Sequence, residues 1–346
     1  MKTESSKRIT ELDALRGIAA LLVVFFHFTM STPLAHYGFN LGVTGVDLFF
    51  MISGFVILMT VKKTKHWKDF VVSRISRIYP TYWTCVTCTS LLILATQNPG
   101  IKWFLVRYVC NMSMFQSYAN ITDMDGPYWT MIVEMLFYMF MLGVFLLKKL
   151  DKLELICAVL LVPVIFYATL LPRLSPALTQ LICIRIPLIN HFPLFFAGIL
   201  FYQLKFDKPH WARYCLLGVC FISALLLFRS GGKSNGYVSF NQYLTMLSCY
   251  FIFFILYINK LLGFITNRAT LWLGSVSFSL YLIHQYLGLT ILIPLGLNQL
   301  HLNQGCAAFL FALPIVLFLA WAIHILVEKP AMDRIRTWYK TKKALV

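Results

Sequence analysis

Residues 11–30 read ELDALRGIAALLVVFFHFTM, an apolar run with Arg16 near its start and His27 near its end. Arg16 and His27 are 11 positions apart. At about 100° per residue both fall on nearly the same helix face, and the rise separates them by roughly 16 Å, about half a bilayer core. A guanidinium near one membrane surface and an imidazole deep inside, aligned on one stripe, mark a path from surface to interior. A run of this kind crosses lipid only as a helix that satisfies its own backbone groups.

The rest of the chain agrees with that reading. Of its 346 residues 59% are hydrophobic and only 12% charged, and the mean hydropathy is +0.75. That is far too apolar for a soluble globular protein. The first run follows Lys2, Lys7 and Arg8 without a small-residue cleavage site, which predicts a retained span and not a cleaved leader. Nine cysteines, an odd number, lie mostly in apolar runs, so no disulfide framework is expected. Cys85 and Cys88 form a CxxC inside a predicted span with no second pair, and no metal site is expected.

Hydropathy predicts an all-α polytopic membrane protein of about ten spans, 12–31, 43–61, 79–96, 128–147, 153–171, 186–203, 213–229, 240–259, 270–293 and 306–327, forming one membrane domain over 1–346. With both termini inside, 24 of the 30 Lys and Arg face the cytoplasm; Lys102, Arg107, Arg173, Arg185, Arg229 and Lys233 lie outside. This positive-inside bias accounts for the net charge of +17 without nucleic acid as a partner. Residues 99–118 would reverse every later connection if they crossed; they are expected in or near the outer interface, anchored by Trp103 and Tyr108.

Ionisable groups inside spans are costly, and their default reading is functional. The topology sorts them into two layers. Arg16, Arg74, Arg77 and Glu328 lie towards the inner side, with Arg74 and Arg77 in the loop before the third span. His27, Asp47, Glu134, His191 and His284 lie towards the outer half. Arginine forks suit phosphate oxygens. An imidazole serves as general base towards a hydroxyl or nucleophile towards a thioester, with a carboxylate to orient it. Plainer roles compete: Arg74 and Arg77 also fit the positive-inside rule or anionic headgroups, Asp47 and His191 also fit helix–helix pairing, and His324 reads as a packing residue.

Seven motifs in order carry a family resemblance: LDALRG with the Arg16-to-His27 spacing, TGVDLFFMISGFVI (44–57) with Asp47 and Ser53, FVVSRISRIYPTYW (70–83), WTMIVEMLFY (129–138) with Glu134 and Tyr138, FPLFFAGILFY (192–202), LGSVSFSLYLIH (273–284) with Tyr281 and His284, and VEKP (327–330) with Glu328. The chain resembles the acyltransferase 3 family of bacterial integral-membrane acyltransferases from end to end. The resemblance implies an O-acyltransferase of the bacterial inner membrane that moves an acyl group, usually acetyl, from cytoplasmic acetyl-CoA to a carbohydrate or glycolipid hydroxyl. Family acceptors include O-antigen of lipopolysaccharide, exopolysaccharide, peptidoglycan and secondary-metabolite sugars. Carried over by position, His27 becomes the leading catalytic residue, Glu134, Asp47 and His284 assist it, and Arg16, Arg74 and Arg77 bind the coenzyme's phosphates. Ser53, Tyr138, Tyr281 and Glu328 become supporting residues. Many relatives carry a C-terminal hydrolase-like domain, which this sequence is expected to lack. A proton-coupled transporter is the competing class, since intramembrane His and carboxylates also form proton relays; the absence of a detectable inverted repeat in the sequence weighs against it.

Overall fold

A computed structural model describes residues 9–97, 99–230 and 232–344, and among them every regular element is helical. Lys2, Lys7 and Arg8, counted above towards the inner charge, lie outside the described residues. The helices are α1 (Thr10–Thr29), α2 (Gly45–Lys63), α3 (Trp67–Gln97), α4 (Ile101–Met112), α5 (Trp129–Leu146), α6 (Leu153–Thr169), α7 (Pro176–Arg185), α8 (Phe192–Phe206), α9 (Trp211–Arg229), α10 (Phe240–Ile258), α11 (Arg268–Asn298) and α12 (Cys306–Lys343).

Nine of the described helices are long and apolar enough to cross a membrane. The sixth expected span, 186–203, is α8, which has 15 residues and so rises only about 22 Å. It needs no lipid-matched length because every residue from Phe192 to Leu204 is buried in protein. It still runs from face to face beside α2. His191 at its start lies 4.0 Å from Asp47, and Asp207 just after its end accepts from Lys62 at 2.7 and 2.8 Å.

Glycines set the two closest helix pairs. A Cβ on Gly17 would lie 2.6 Å from the Gly274 amide nitrogen, and one on Gly274 would lie 2.2 Å from the Asp13 carbonyl, so α1 and α11 touch backbone to backbone. Gly54 and Gly198 do the same for α2 and α8, each with a backbone carbonyl 2.0 Å from where a Cβ would stand. In lipid, where no hydrophobic force drives helices together, small residues that permit this approach hold the bundle.

Three expectations are corrected. Arg74 and Arg77 do not lie in a loop: α3 begins at Trp67, and the turn after α2 occupies only residues 64–66. Phe70, Arg74, Ile78 and Thr81 are all buried on one helical stripe, so packing extends the helix below the apolar core. Residues 99–118 form no helix long enough to cross, and Tyr108, expected as an interface anchor, turns to protein instead. α4 stands antiparallel against the outer half of α3, with Trp83 Nε1 donating to the Met112 carbonyl at 2.8 Å and Tyr108 meeting Thr87 at 3.0 Å. The last helix continues past 327, because its amphipathic basic end packs on α3: Arg336 Nε donates to Ser76 at 3.2 Å, and Tyr339 and Lys343 reach Asp69 at 2.8 and 2.9 Å.

Candidate active site

The start of α1, the lower turns of α3 and the start of α5 converge on an internal cavity. Arg16, Arg74 and Arg77 line it at the basic end, Ser53, Glu134, Tyr138 and Ser277 along its length, and Thr130 and Tyr281 at the far end. A second cavity shares Arg16, Val56 and Arg77 with it and opens at the basic face between Asp13, His324, Glu328 and Arg336. The two cavities thus adjoin at Arg16, Val56 and Arg77. Arg74 is buried, its Nε has no hydrogen-bond partner, and its guanidinium faces the Tyr138 ring at 5.9 Å. An arginine so placed is short of an anion.

Above Tyr281 stands a pair of imidazoles. The Tyr281 and His284 rings are 6.0 Å apart, as expected for i and i+3 on one helix face, and the His284 and His27 rings are 4.9 Å apart. His284 Nδ1 lies 2.8 Å from the Tyr281 carbonyl, which can only accept, so this nitrogen carries the proton and Nε2 is bare. His284 Nε2 is 3.1 Å from His27 Nδ1, which is also 2.9 Å from the Val23 carbonyl. Both partners are acceptors, so His27 is protonated on Nδ1 and presents an unprotonated Nε2. The tautomer is assigned by this chain of hydrogen bonds.

A short loop fastens the helix that carries His284. Asp125 accepts the Tyr286 amide at 3.1 and 3.2 Å. Gly126 packs so tightly that a Cβ there would sit 2.2 Å from the Gln285 side chain. Thr130 lies 3.0 Å from the Tyr281 hydroxyl. Directly beyond, α11 widens into π-helical geometry over Leu287–Leu292, a feature that recurs at functional sites. Burial pushes the Asp125 carboxyl up to about 7, with the Tyr286 and Gly126 amides pulling the other way.

The profile of a family described as an acyltransferase domain matches residues 9–325 of the chain. The chain belongs to the acyltransferase 3 family. A Bacillus subtilis (strain 168) protein provisionally named as the peptidoglycan O-acetyltransferase YrhL is 25% identical over 186 residues, 46% of this chain and 28% of that one. The exopolysaccharide production protein ExoZ of Rhizobium meliloti (strain 1021) is 26% identical over 147 residues, 41% of this chain and 45% of ExoZ. Nodulation protein 10 of Rhizobium leguminosarum bv. viciae is 27% identical over 160 residues, 39% of this chain and 44% of that protein. The chain thus spans less than half the length of each of these curated relatives. No solved structure matches it.

The acyltransferase 3 motifs land in three places, not two layers. Arg16, Arg74, Arg77, Ser53, Tyr138 and Tyr281 share the cavity, and Glu134, expected with the histidines, belongs there too. Its carboxylate accepts from Ser53 at 2.8 Å and from the Tyr138 hydroxyl one turn below. His27 and His284 pair with each other beyond Tyr281. Asp47 stands apart from both, buried beside His191. The expected orientation of His27 by Glu134 or Asp47 is therefore replaced by His284 and the Val23 carbonyl. Glu328 accepts from Ser279 at 2.9 Å and meets His324 at 3.1 Å, so His324 lines the mouth and is no mere packing residue. Its signal was the His-x3-Glu spacing, one helical turn. In the sequence Arg336 is one cation of a basic tail and Asp125 one acid of a loop, and nothing in the pattern near either residue marks it.

Proposed function

We propose that this chain is an O-acyltransferase of the bacterial inner membrane, moving an acyl group, acetyl in the simplest case, from cytoplasmic acyl-CoA to a carbohydrate hydroxyl of the cell envelope or of an exported glycan. The observation that carries the reading is the cavity that leads from Arg16, Arg74 and Arg77 to Tyr281, directly beneath the His284–His27 pair. The arginines, joined by Arg336 at the mouth, hold the coenzyme's phosphates, and the pantetheine arm extends along Ser53 and Glu134 with its thioester at the Tyr281 end. Peptidoglycan and exopolysaccharide stand in the names of two relatives, and lipopolysaccharide O-antigen is a further acceptor of the same chemical class.

His27 Nε2 is the reactive atom. In direct transfer it takes the proton of the acceptor hydroxyl as that oxygen attacks the thioester carbonyl; the tetrahedral oxyanion collapses, the C–S bond breaks, and the departing thiolate takes the proton back. In the two-step route Nε2 itself attacks the carbonyl, the thiolate leaves, and the acceptor hydroxyl then displaces the imidazole while its proton passes to the thiolate. Both routes begin from the tautomer that His284 and Val23 support.

Purified protein supplied with labelled acyl-CoA tests the proposal by thiol release and by label on protein or glycan. His27→Ala is expected to abolish transfer in a protein that still folds and inserts; an active variant ends the proposal. Arg16→Ala removes a charge-assisted contact worth about 1.5–3 kcal/mol, so the donor Kd is expected to rise roughly 10- to 150-fold. A proton-coupled carrier would give neither thiol release nor acyl label.

A further inference from the structure

On the face opposite the arginines lies a second kind of cavity. It is lined by Ser117, Asp123, Trp129, Ile132, Asn190 and His191 among others. Its rim is built, not incidental: the Tyr118 hydroxyl donates to the Arg185 carbonyl at 2.8 Å, and Arg185 returns a bond to the Tyr118 carbonyl at 3.3 Å. That reciprocal pair ties the loop after α4 to the end of α7. The His191 ring lies against Phe50 and Trp129, at 4.6 and 5.5 Å between centroids.

Phe50 also lines the donor cavity, and Thr130, next to Trp129, closes that cavity's far end. The two cavities, one reached from each face, therefore adjoin where the Phe50 and His191 rings lie against each other. Among the described side chains the outer lining combines an indole with a carboxylate, an amide, an imidazole and a hydroxyl. Such a lining fits a neutral ring bearing many hydroxyls, which needs acceptors and donors around its edge and an apolar surface for its C–H face.

We infer that this outer cavity is the acceptor subsite, taking one uncharged sugar residue of the glycan and presenting its hydroxyl towards the Trp129–Thr130 turn. The assignment rests on the carbohydrate reading proposed above and adds to it the place where the sugar binds. Asn190 and Asp123 bind its hydroxyls, and Trp129 supports the ring. Acyl-CoA and sugar thus approach from opposite faces.

Two variants test it by different means. Asn190→Ala deletes a polar contact. Ile184→Trp, at a side chain 48% exposed on the rim, fills the space. The measurements are initial rates of transfer from labelled acetyl-CoA to envelope polysaccharide isolated from the source strain, donor Kd, and detergent melting as the folding control. The expected result is an acceptor KM raised at least tenfold in both variants, with donor Kd and melting temperature as in wild type. An unchanged acceptor KM in both folded variants overturns the subsite while leaving the proposed activity in place. Wild-type protein that releases thiol but acylates no glycan overturns the carbohydrate reading itself, and the subsite with it.

Discussion

At the scale of the residue, the decisive finding is that one imidazole orients another. In a water-poor interior a carboxylate partner would itself need desolvation and pairing, whereas His284 is held by a backbone carbonyl and brings no charge. Replacing His284 with Phe leaves His27 Nδ1 only the Val23 carbonyl. The expected outcome is a fall of about 10²-fold in kcat, with donor Kd unchanged, measured by thiol release; a kcat within twofold of wild type would remove His284 from the reaction. Helix arithmetic puts His27 and His284 at similar depth but does not put them side by side. Counting residues along an axis gives depth and face, not which helices are neighbours. That information resides in contacts between segments 257 positions apart, and the Gly17–Gly274 approach that creates them looks in the sequence like any other glycine in a span.

At the scale of the element, close backbone approach and a capped loop set the position of the active groups. Gly54→Leu places a side chain where a Phe195 carbonyl stands 2.0 Å from the Cβ position, whereas Gly143 has nothing within 4 Å. Overpacking costs about 1–3 kcal/mol or more, so Gly54→Leu is expected to lower the melting temperature in detergent by several degrees or abolish folding, and Gly143→Leu to leave it unchanged. Equal melting temperatures would show that the α2–α8 contact can slide. Asp125 allows a test by pH. Its carboxyl is raised on folding from 3.8 to about 7, so the stability that its neutral form contributes is whole below the ordinary carboxyl range and is lost as the pH climbs through about 7. Its ionised form, in contrast, is the stronger acceptor for the Tyr286 amide that fixes the His284 turn. The ratio of wild-type to Asp125→Asn activity is therefore expected to grow as the pH rises through about 7 and then level. A ratio flat with pH would disconnect this loop from the active state. The spans themselves were legible because twenty-residue apolar runs have few alternatives. α8 was legible as a helix but not as a short one, since composition does not reveal that protein, not lipid, surrounds it.

At the scale of the whole molecule, charge and chemistry make one statement about sidedness. The basic face gathers the ends of α2 and α8 through Lys62–Asp207 and the starts of α6 and α9 through Glu154–Arg213 at 2.8 Å. It also carries the mouth flanked by Arg16, Arg77 and Arg336. By the positive-inside rule this face is cytoplasmic, which is where acyl-CoA is made available. The opposite face carries Tyr37, 81% exposed, in the segment that follows α1. Cysteine placed at Tyr37 or at the exposed Lys208 reports the orientation, in a background where the exposed Cys183 and Cys215 have been changed to serine. In intact spheroplasts a membrane-impermeant maleimide is expected to label Tyr37→Cys at once and Lys208→Cys only after permeabilisation. The reverse pattern would place the arginines outside, out of reach of a cytosolic thioester. The cavity would then need an extracytoplasmic donor, and the acceptor subsite would face a compartment where the glycan has yet to be exported.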